Sequence, residues 1–171
     1  MKRCAALLCA SLLCAGGARA EELAGRVIGV ADGDTLTLLT ADRRQHKIHL
    51  VGIDAPERGQ QGAHRAKESL AGLVYERAAR AECHGVDAAG GKVCKVWAQP
   101  SDCARCGLTL DVGLAQISVG RAWWARRDAG ALSPEDRARY QSEENEARLR
   151  KRGLWAQADP VPPWAWRAAR P

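Results

Sequence analysis

Four carboxylates stand at two corresponding places in the sequence, where each pair borders a short run of alternating apolar residues. Asp32 and Asp34 precede the first run, and Asp54 and Glu57 follow the second. Alternation of this kind predicts β-strands, so both acidic pairs should lie at strand ends. Carboxylate oxygens are the ligands that a hard cation such as Ca²⁺ requires. The sequence therefore predicts a metal and phosphate site.

Gly33 separates Asp32 from Asp34, and its conformational freedom would let the backbone turn so that both side chains approach one ion. Each motif also has a purely structural interpretation. Asp-Gly is a frequent hairpin turn, and Asp-x-Pro, found at 54–56, is a frequent loop. Only the combination of both acidic motifs at strand ends favours a functional site.

The order of these and further motifs resembles the signature of the staphylococcal nuclease-like (thermonuclease) family, in a secreted bacterial form. A D-G-D-T turn occupies residues 32–35, and residues 49–57 read HLVGIDAPE where the family has R-L-x-G-I-D-A-P-E. Shorter similarities follow in the family order at 91–93, 120–123, 146–148 and 153–155. The resemblance covers roughly residues 25 to 155.

This resemblance implies a Ca²⁺-dependent phosphodiesterase that hydrolyses DNA, RNA or both and leaves 3′-phosphate ends. It implies that Asp34 and Asp54 bind Ca²⁺ directly, together with the carbonyl oxygen of Ala55, and that Asp32 contributes through water. Glu57 would position or deprotonate the attacking water. The roles are chemically consistent, because a cation neutralises the phosphate oxygen while a nearby carboxylate orients the nucleophile.

The sequence departs from the family at both positions where the family carries a catalytic arginine. His49 takes the first position and Lys92 the second. A guanidinium binds phosphate oxygens through a planar fork, whereas lysine offers a point charge and histidine is only partly protonated near neutral pH. Losing such an arginine can lower the rate by a factor on the order of 10³ to 10⁵. Lys47, on the same strand face as His49, or Arg43 or Arg44 in the adjacent turn, would have to compensate.

Two functions are therefore compatible with the sequence. The first is a slow or altered nuclease, which the presence of all the expected carboxylates favours. The second is a catalytically weak OB-fold module that binds nucleic acid or a protein partner, which the two missing arginines favour. A bound metal that only stabilises the fold is a third, minor interpretation.

The predicted secondary structure is that of a β-rich α+β domain, and the family resemblance implies a five-stranded OB-fold barrel with about three helices. Strands are predicted near 23–31, 34–40, 46–52, 78–86 and 91–98. Gly25 and Gly29 would allow the first strand to bend strongly. One helix should begin near Ala63, and a short one should end at Gly120. Ser133, followed by Pro134 and two acidic residues, predicts the start of a third helix.

Residues 1–20 resemble a secretory signal peptide, with a basic start, an apolar stretch and Ala-Arg-Ala before Glu21. Their removal takes away three basic residues and no acidic one, which lowers the formal net charge from +6 to +3. So small a charge does not by itself indicate nucleic-acid binding. We expect an exported monomer, periplasmic or secreted and not membrane-bound, with a nuclease-like domain at 21–156 and a tail at 157–171.

Four cysteines remain after this cleavage: Cys83, Cys94, Cys103 and Cys106. In a hairpin of 78–86 with 91–98, Cys83 lies opposite Cys94, at a separation that suits a disulfide. For Cys103 and Cys106, a disulfide within the loop is the plain interpretation, and redox exchange or joining the first pair around Zn²⁺ are the alternatives. Zinc is disfavoured, because ten residues separate the first two cysteines where a zinc ribbon has two to four.

The tail contains four prolines together with Trp164 and Trp166. Its composition predicts an extended segment that lies on the domain. Packing against the domain is the favoured role for the two tryptophans, and stacking on nucleic-acid bases is the alternative.

Overall fold

The structure is a computed structural model that describes residues 20–103 and 105–170. The predicted signal peptide, apart from Ala20, lies outside the described residues. The strands are β1 (Glu21–Val30), β2 (Thr35–Thr40), β3 (Gln45–Leu50), β4 (Ile53–Asp54), β5 (Ala78–Val86), β6 (Lys92–Ala98), β7 (Leu110–Asp111) and β8 (Trp123–Trp124). The α-helices are α1 (Ala63–Val74), α2 (Val112–Ser118), α3 (Pro134–Leu149) and α4 (Pro163–Ala168).

Five strands form a closed barrel, as the family resemblance implied. They are hydrogen-bonded in the order β3-β2-β1-β5-β6, and a parallel pairing between β3 and β6 closes the ring. β1 contains a β-bulge between Val27 and Gly29, where its register against β2 shifts. A Cβ atom at Gly25 would clash with the carbonyl oxygen of Leu39, so this close approach of β1 to β2 requires glycine. The predicted bending of the first strand is therefore confirmed.

Alternating residues of the barrel strands fill the core. The largest fully buried aliphatic side chains from these strands are Val27, Leu36, Leu38, Ile48 and Leu50. Burying each one contributes about 1.5 to 3 kcal/mol relative to an exposed position. Helix α1 covers one end of this core through Ala66, Leu70 and Val74, which recur at helical spacing and are buried.

Both predicted disulfides are present. Cys83 and Cys94 face each other across β5 and β6, with an S–S distance of 2.04 Å. Cys103 and Cys106 form a second bridge in the loop after β6. Because all four sulfurs are used in disulfides, the four-cysteine zinc interpretation does not apply to this structure, whereas a Cys103–Cys106 bridge is compatible with redox exchange.

The tail differs from the prediction of an extended segment. It contains helix α4, which begins at Pro163, and proline is favoured in the first turn of a helix because its φ angle is already helical. Trp166 packs under the guanidinium of Arg170, whose carbon Cζ lies 3.6 Å from the ring centre. Trp164 is 38% exposed. Within residues 20–103 and 105–170, the helices are too short or too polar to span a membrane.

Candidate active site

The first acidic motif forms a tight turn between β1 and β2. The turn is closed by the Ala31 N–H, which donates to the carbonyl oxygen of Thr35 at 2.9 Å. Within it, the carboxylate of Asp32 accepts from the backbone N–H of Asp34 at 3.2 Å. The side chain of Asp32 is therefore directed back towards the peptide that carries Asp34.

Asp34 connects the two acidic motifs. Its Oδ2 accepts from the backbone N–H of Ala55 at 2.6 Å, and its carbonyl oxygen accepts from the N–H of Leu50 at 2.8 Å. The strand-end carboxylates therefore converge, as their positions in the sequence predict. Asp54 is the neighbour of Ala55 and is likewise buried.

Gly33 is required for a reason that differs from the predicted one. Its φ angle is not positive, but a Cβ atom there would lie 2.6 Å from the Cβ atoms of both Ala55 and Ala66. Contacts below about 3 Å are essentially never observed for real side chains, so the backbone must approach this closely without one. The role of this glycine is close packing of the acidic turn against the β4–α1 segment.

A buried glutamine fixes the same turn to the helices. The side-chain amide of Gln116 donates to the carbonyl oxygens of Gly33 at 2.7 Å and Ala66 at 3.0 Å. Its oxygen accepts from the Ser69 hydroxyl at 2.6 Å. Gln116 is fully buried, so all of its bonds are made in a water-free environment, where leaving a partner unpaired costs about 1 to 3 kcal/mol.

Asp34 carries an unfavourable charge in this environment. Burial raises the pKa of the Asp34 carboxyl well above its usual range, and the negative charges of Asp32 and Asp54 raise it further. The hydrogen bond from Ala55 opposes this effect but does not cancel it. A positive charge placed between these carboxylates would relieve both the repulsion and the cost of burial.

Asp54 is held on strand β4, which pairs with β8. Its carboxylate accepts two hydrogen bonds from Arg167 of helix α4, at 3.1 Å from Nη1 to Oδ1 and at 2.6 Å from Nη2 to Oδ2. Nη1 also lies 2.5 Å from Oε1 of Glu57. Burial raises the pKa of Asp54, while the bonds from Arg167 act in the opposite direction. One guanidinium thus bridges a predicted metal ligand and the predicted base.

Glu57 and the tail are held together by Gln60. The Gln60 side-chain oxygen accepts from the N–H of Glu57 at 2.9 Å, and its amide nitrogen donates to the carbonyl oxygen of Val161 at 2.7 Å. Gln60 is itself buried, and so is Pro163 at the start of α4. The carboxylate of Glu57 remains 39% exposed and accessible to water.

The structure brings His49 to the site but directs Lys92 elsewhere. Nδ1 of His49 lies 3.4 Å from the Thr35 hydroxyl and 3.8 Å from Oδ1 of Asp34. The ammonium of Lys92 instead lies 2.5 Å from Oε2 of Glu21. In the described part of the chain, Lys47 makes no ion pair with the acidic motifs.

The arginines predicted as alternative cations do not reach the site either. The side chain of Arg44 pairs with Asp42, 3.3 Å away in the same turn. Arg43, which has a positive φ of 63° in this turn, makes no ion pair among the residues that the structure describes. Among the described arginines, Arg167 is thus the one whose guanidinium hydrogen-bonds to a predicted metal ligand.

The donor atoms suit a hard cation. Carboxylate oxygens from Asp34 and Asp54, a nearby carbonyl at Ala55 and a further carboxylate at Asp32 are the oxygen types that Ca²⁺ prefers. In the described residues, however, no three His, Cys, Asp or Glu side chains are grouped in a metal-binding arrangement. Arg167 donates one hydrogen bond to each carboxylate oxygen of Asp54. A carboxylate has about four lone-pair positions, so Arg167 leaves about two of those of Asp54 for a cation.

Two clefts lie beside the acidic residues. The larger, of about 520 Å³, is lined by Asp54, Arg126, Arg127, Trp164 and Arg167, among others. The second, of about 470 Å³, is lined by His49 and His84 and by backbone that includes Gly52 and Gly85. The first cleft combines positive charge with an exposed indole ring, which are the features that bind phosphates and bases of single strands.

Three residues of this site were not identified from the sequence: Gln60, Gln116 and Arg167. Gln116 and Arg167 contact partners 50 and 113 residues away, and no local pattern encodes pairings over such distances. An arginine in a tail of Pro and Trp residues carries no signal of its own. The one indication in the sequence was the absence of arginine at positions 49 and 92, which implies that a cation comes from elsewhere.

Comparison with known proteins adds independent support. Residues 47–157 match the family model described as Staphylococcal nuclease homologue. The chain is 36% identical to Protein ParB of Escherichia coli over 167 residues, which cover 98% of this chain and 90% of that protein. It is 32% identical to an uncharacterized endonuclease of Escherichia coli O157:H7, over 85% of this chain and 86% of that protein.

A further relative carries the name of the enzyme class. The chain is 32% identical to the micrococcal nuclease of Shigella flexneri over 145 residues, which cover 85% of this chain and 80% of that protein. The family-model match, residues 47–157, includes the second acidic motif, with Asp54 and Glu57. With the closed barrel, the converging carboxylates and these similarities in agreement, the chain belongs to the staphylococcal nuclease family.

Proposed function

We propose that this protein is a Ca²⁺-dependent nuclease that hydrolyses the phosphodiester bonds of DNA, RNA or both. Family membership and the nuclease and endonuclease names of its relatives support a phosphodiester hydrolase. The observation that carries the proposal is the hydrogen bond from Ala55 to Asp34, which holds the two acidic motifs together in the interior.

The residues that would hold the cation are Asp34 and Asp54, with the Ala55 carbonyl oxygen and, through water, Asp32. When bound, Ca²⁺ would neutralise a phosphate oxygen as negative charge develops on it. The buried, repelling carboxylates support this assignment, because their charge is compensated only in part by protein groups. Folding buries these carboxylates close to one another, which is electrostatically unfavourable, and a bound cation would offset that unfavourable energy.

Glu57 is suited to the role of general base. Its backbone is fixed by Gln60, while its carboxylate is exposed enough to contact a water molecule. It would orient that water and accept its proton as the water attacks phosphorus. His49, beside Asp34, would bind a phosphate oxygen when protonated.

A binding module with little activity is the second candidate. It is favoured by the contact of Arg167 with both Asp54 and Glu57 and by the pairing of Lys92 with Glu21. In this alternative, the arginine would keep the metal ligands and the base permanently engaged, and the protein would bind polynucleotides without cleaving them.

Cleavage and binding assays distinguish the two candidates. The protein lacking residues 1–20 is incubated with labelled single-stranded DNA, duplex DNA and RNA, in Ca²⁺ or in EDTA. We expect cleavage only with Ca²⁺, and a loss of about 10² to 10⁴ in rate for Glu57→Gln, the contribution usual for a general base. The control is Glu68→Gln, an exposed carboxylate paired with His64 on helix α1. Binding by fluorescence anisotropy with no cleavage in any condition would support the binding module instead.

A thermal-shift measurement tests the cation directly. Because a ligand that binds only the folded state stabilises it, Ca²⁺ should raise the melting temperature of the wild type. Asp54→Asn should abolish this rise, whereas Glu68→Gln should leave it unchanged. An equal rise in all three proteins would show that Ca²⁺ binds at another place.

We also propose that the protein is exported and acts as a monomer in the periplasm or outside the cell. The two disulfides support export, because such bridges persist mainly in oxidising compartments. Fractionation of cells that express the full chain, followed by mass determination of the exported form, tests both the compartment and cleavage after Ala20.

A further inference from the structure

Arg167 contacts two side chains with roles in the proposed reaction: Asp54, a proposed Ca²⁺ ligand, and Glu57, the proposed general base. Its guanidinium makes a two-pronged contact with Asp54 and a further contact with Glu57. Its pKa is raised, chiefly by the hydrogen bond to Asp54, so it is charged at every relevant pH. The fold therefore delivers one permanent positive charge, in a fork geometry, to the acidic residues.

The positions where the family carries arginine offer no equivalent group. His49 supplies an imidazole, and the amine of Lys92 is directed to Glu21. A guanidinium matches the planar geometry of two phosphate oxygens better than either group does. Among the residues that the structure describes, Arg167 is the arginine that hydrogen-bonds to Asp54 and Glu57, and it lies near the C-terminal end of the sequence.

We propose that Arg167 is a catalytic residue that binds the phosphate to be cleaved, in place of the arginines that His49 and Lys92 have replaced. This inference rests on the proposed nuclease function. In the structure without substrate, the carboxylates of Asp54 and Glu57 accept the hydrogen bonds that phosphate oxygens would accept during the reaction. The exchange requires only a side-chain movement, because the Arg167 side chain is 50% exposed and lines the cleft beside Asp54.

The contacts of the C-terminal tail argue against the alternative that the tail blocks the site and detaches when substrate binds. The bond from Gln60 to the Val161 carbonyl holds the tail just before α4 next to the segment that carries Glu57, and Pro163 at the start of α4 is buried. A segment that merely blocked the site would need to detach as a whole, and these buried contacts oppose detachment. The helix is thus a fixed part of the wall, from which the long side chain of Arg167 can reorient.

The first test measures turnover of single-stranded DNA in Ca²⁺ by Arg167→Gln and Arg167→Lys. We expect the glutamine variant to lose about 10² to 10³ in kcat, the loss usual when one transition-state donor is removed. The lysine variant should retain more activity than the glutamine variant. The matched control is Arg150→Gln, an exposed arginine at the C-terminal cap of α3 that pairs with Glu146 and lies outside the proposed site. Circular dichroism verifies that each variant is folded.

Chemical rescue separates a catalytic role from a structural one. Millimolar guanidinium ion, far below denaturing concentrations, should restore part of the activity of Arg167→Ala and leave Arg150→Ala unaffected. Absence of rescue together with full activity of Arg167→Gln would overturn the inference. An Arg167→Gln variant faster than the wild type would also overturn it, and would identify Arg167 as an inhibitory group.

Calorimetry gives a readout that does not depend on turnover. Thymidine monophosphate, titrated in Ca²⁺, should bind Arg167→Gln at least about tenfold more weakly than wild type, which corresponds to losing one charged hydrogen bond. Equal affinity for the two proteins would overturn the phosphate contact. If the wild type bound the nucleotide through Arg167 yet cleaved neither DNA nor RNA, the nuclease proposal would fail while the phosphate contact would stand.

Discussion

The ammonium nitrogen of Lys92 lies 2.5 Å from the Glu21 carboxylate, reaching across the intervening strand β5. The partners are 26% and 53% exposed, and ion pairs in such positions contribute only about 0.2 to 1 kcal/mol. The contact is therefore strong enough to orient Lys92 away from the site and weak enough for a polyanion to compete with it.

Releasing Lys92 should favour substrate binding. We expect Glu21→Gln to raise kcat/KM on single-stranded DNA by about two- to fivefold, the factor that corresponds to the energy of the pair. Glu22→Gln is the control, since Glu22 carries the same charge and faces Arg80 at 3.8 Å instead. The idea fails if both variants change kcat/KM equally, which would indicate a general effect of negative charge at the N-terminal strand.

Restoring a family arginine should compensate for the loss of Arg167. His49 is close to Asp34, so a guanidinium introduced there would lie beside the acidic residues. In the Arg167→Gln background, His49→Arg should raise turnover by at least about tenfold, because it restores a bidentate phosphate contact. His64→Arg, at an exposed position on α1, is the control. No gain from His49→Arg would mean that position 49 does not contact the phosphate.

The charge of Asp34 should make the metal-free fold less stable as the pH rises. Since the pKa of Asp34 is higher in the folded protein than in the unfolded chain, the folded state retains a proton that the unfolded state releases. Below the unfolded pKa the contribution is constant. Stability is lost as the pH rises from there through the raised pKa of the folded state.

Asp34→Asn removes this loss and keeps an oxygen for the Ala55 N–H. In EDTA at pH 7, we expect the variant to melt at least about 2 °C higher than the wild type, a shift equivalent to roughly 1 kcal/mol in a chain of this size. The difference should shrink at acidic pH. A lower melting temperature at pH 7 would contradict the interpretation that the charge is unfavourable. The variant should also lose the stabilisation that Ca²⁺ gives to the wild type.

The bridge between β5 and β6 should contribute substantially to stability. Cys83 and Cys94 are 11 positions apart, and closing a loop of that length stabilises a fold by about 3 kcal/mol through restriction of the unfolded chain. We expect the double serine variant to lose roughly that amount in urea denaturation. The Cys103–Cys106 bridge joins residues only 3 positions apart. Because a shorter loop restricts the unfolded chain less, this bridge should contribute about 1 kcal/mol less to stability. Equal losses would show that strain or local packing dominates.

Local sequence patterns were sufficient to predict the strands that carry the site and the positions of its acidic residues at strand ends. Alternation located the barrel strands, and the hairpin register placed Cys83 opposite Cys94. The acidic strand ends identified Asp34 and Asp54 as neighbours, because strand direction and length restrict where a strand end can lie. These inferences need only residues within about 30 positions of one another.

Contacts made by long polar side chains could not be predicted in this way. The pairing of Lys92 with Glu21, and of Arg167 with Asp54, joins residues 71 and 113 positions apart. Each depends on how separate elements pack and on which of several carboxylates a flexible cation reaches. The tail illustrates the difficulty, since its prolines suggested an extended segment while Pro163 in fact begins a helix.

The Gln116 network divides the site into parts that move on different timescales. The acidic turn can shift only if the bonds from Gln116 to Gly33 and Ala66 break in the interior, which couples it to slow opening of the domain. Arg167 is half exposed, so its side chain can change rotamer without opening of the domain once its bonds to Asp54 and Glu57 break. The acidic turn is therefore the rigid part of the site, and the Arg167 side chain is the part that can rearrange while the turn stays in place.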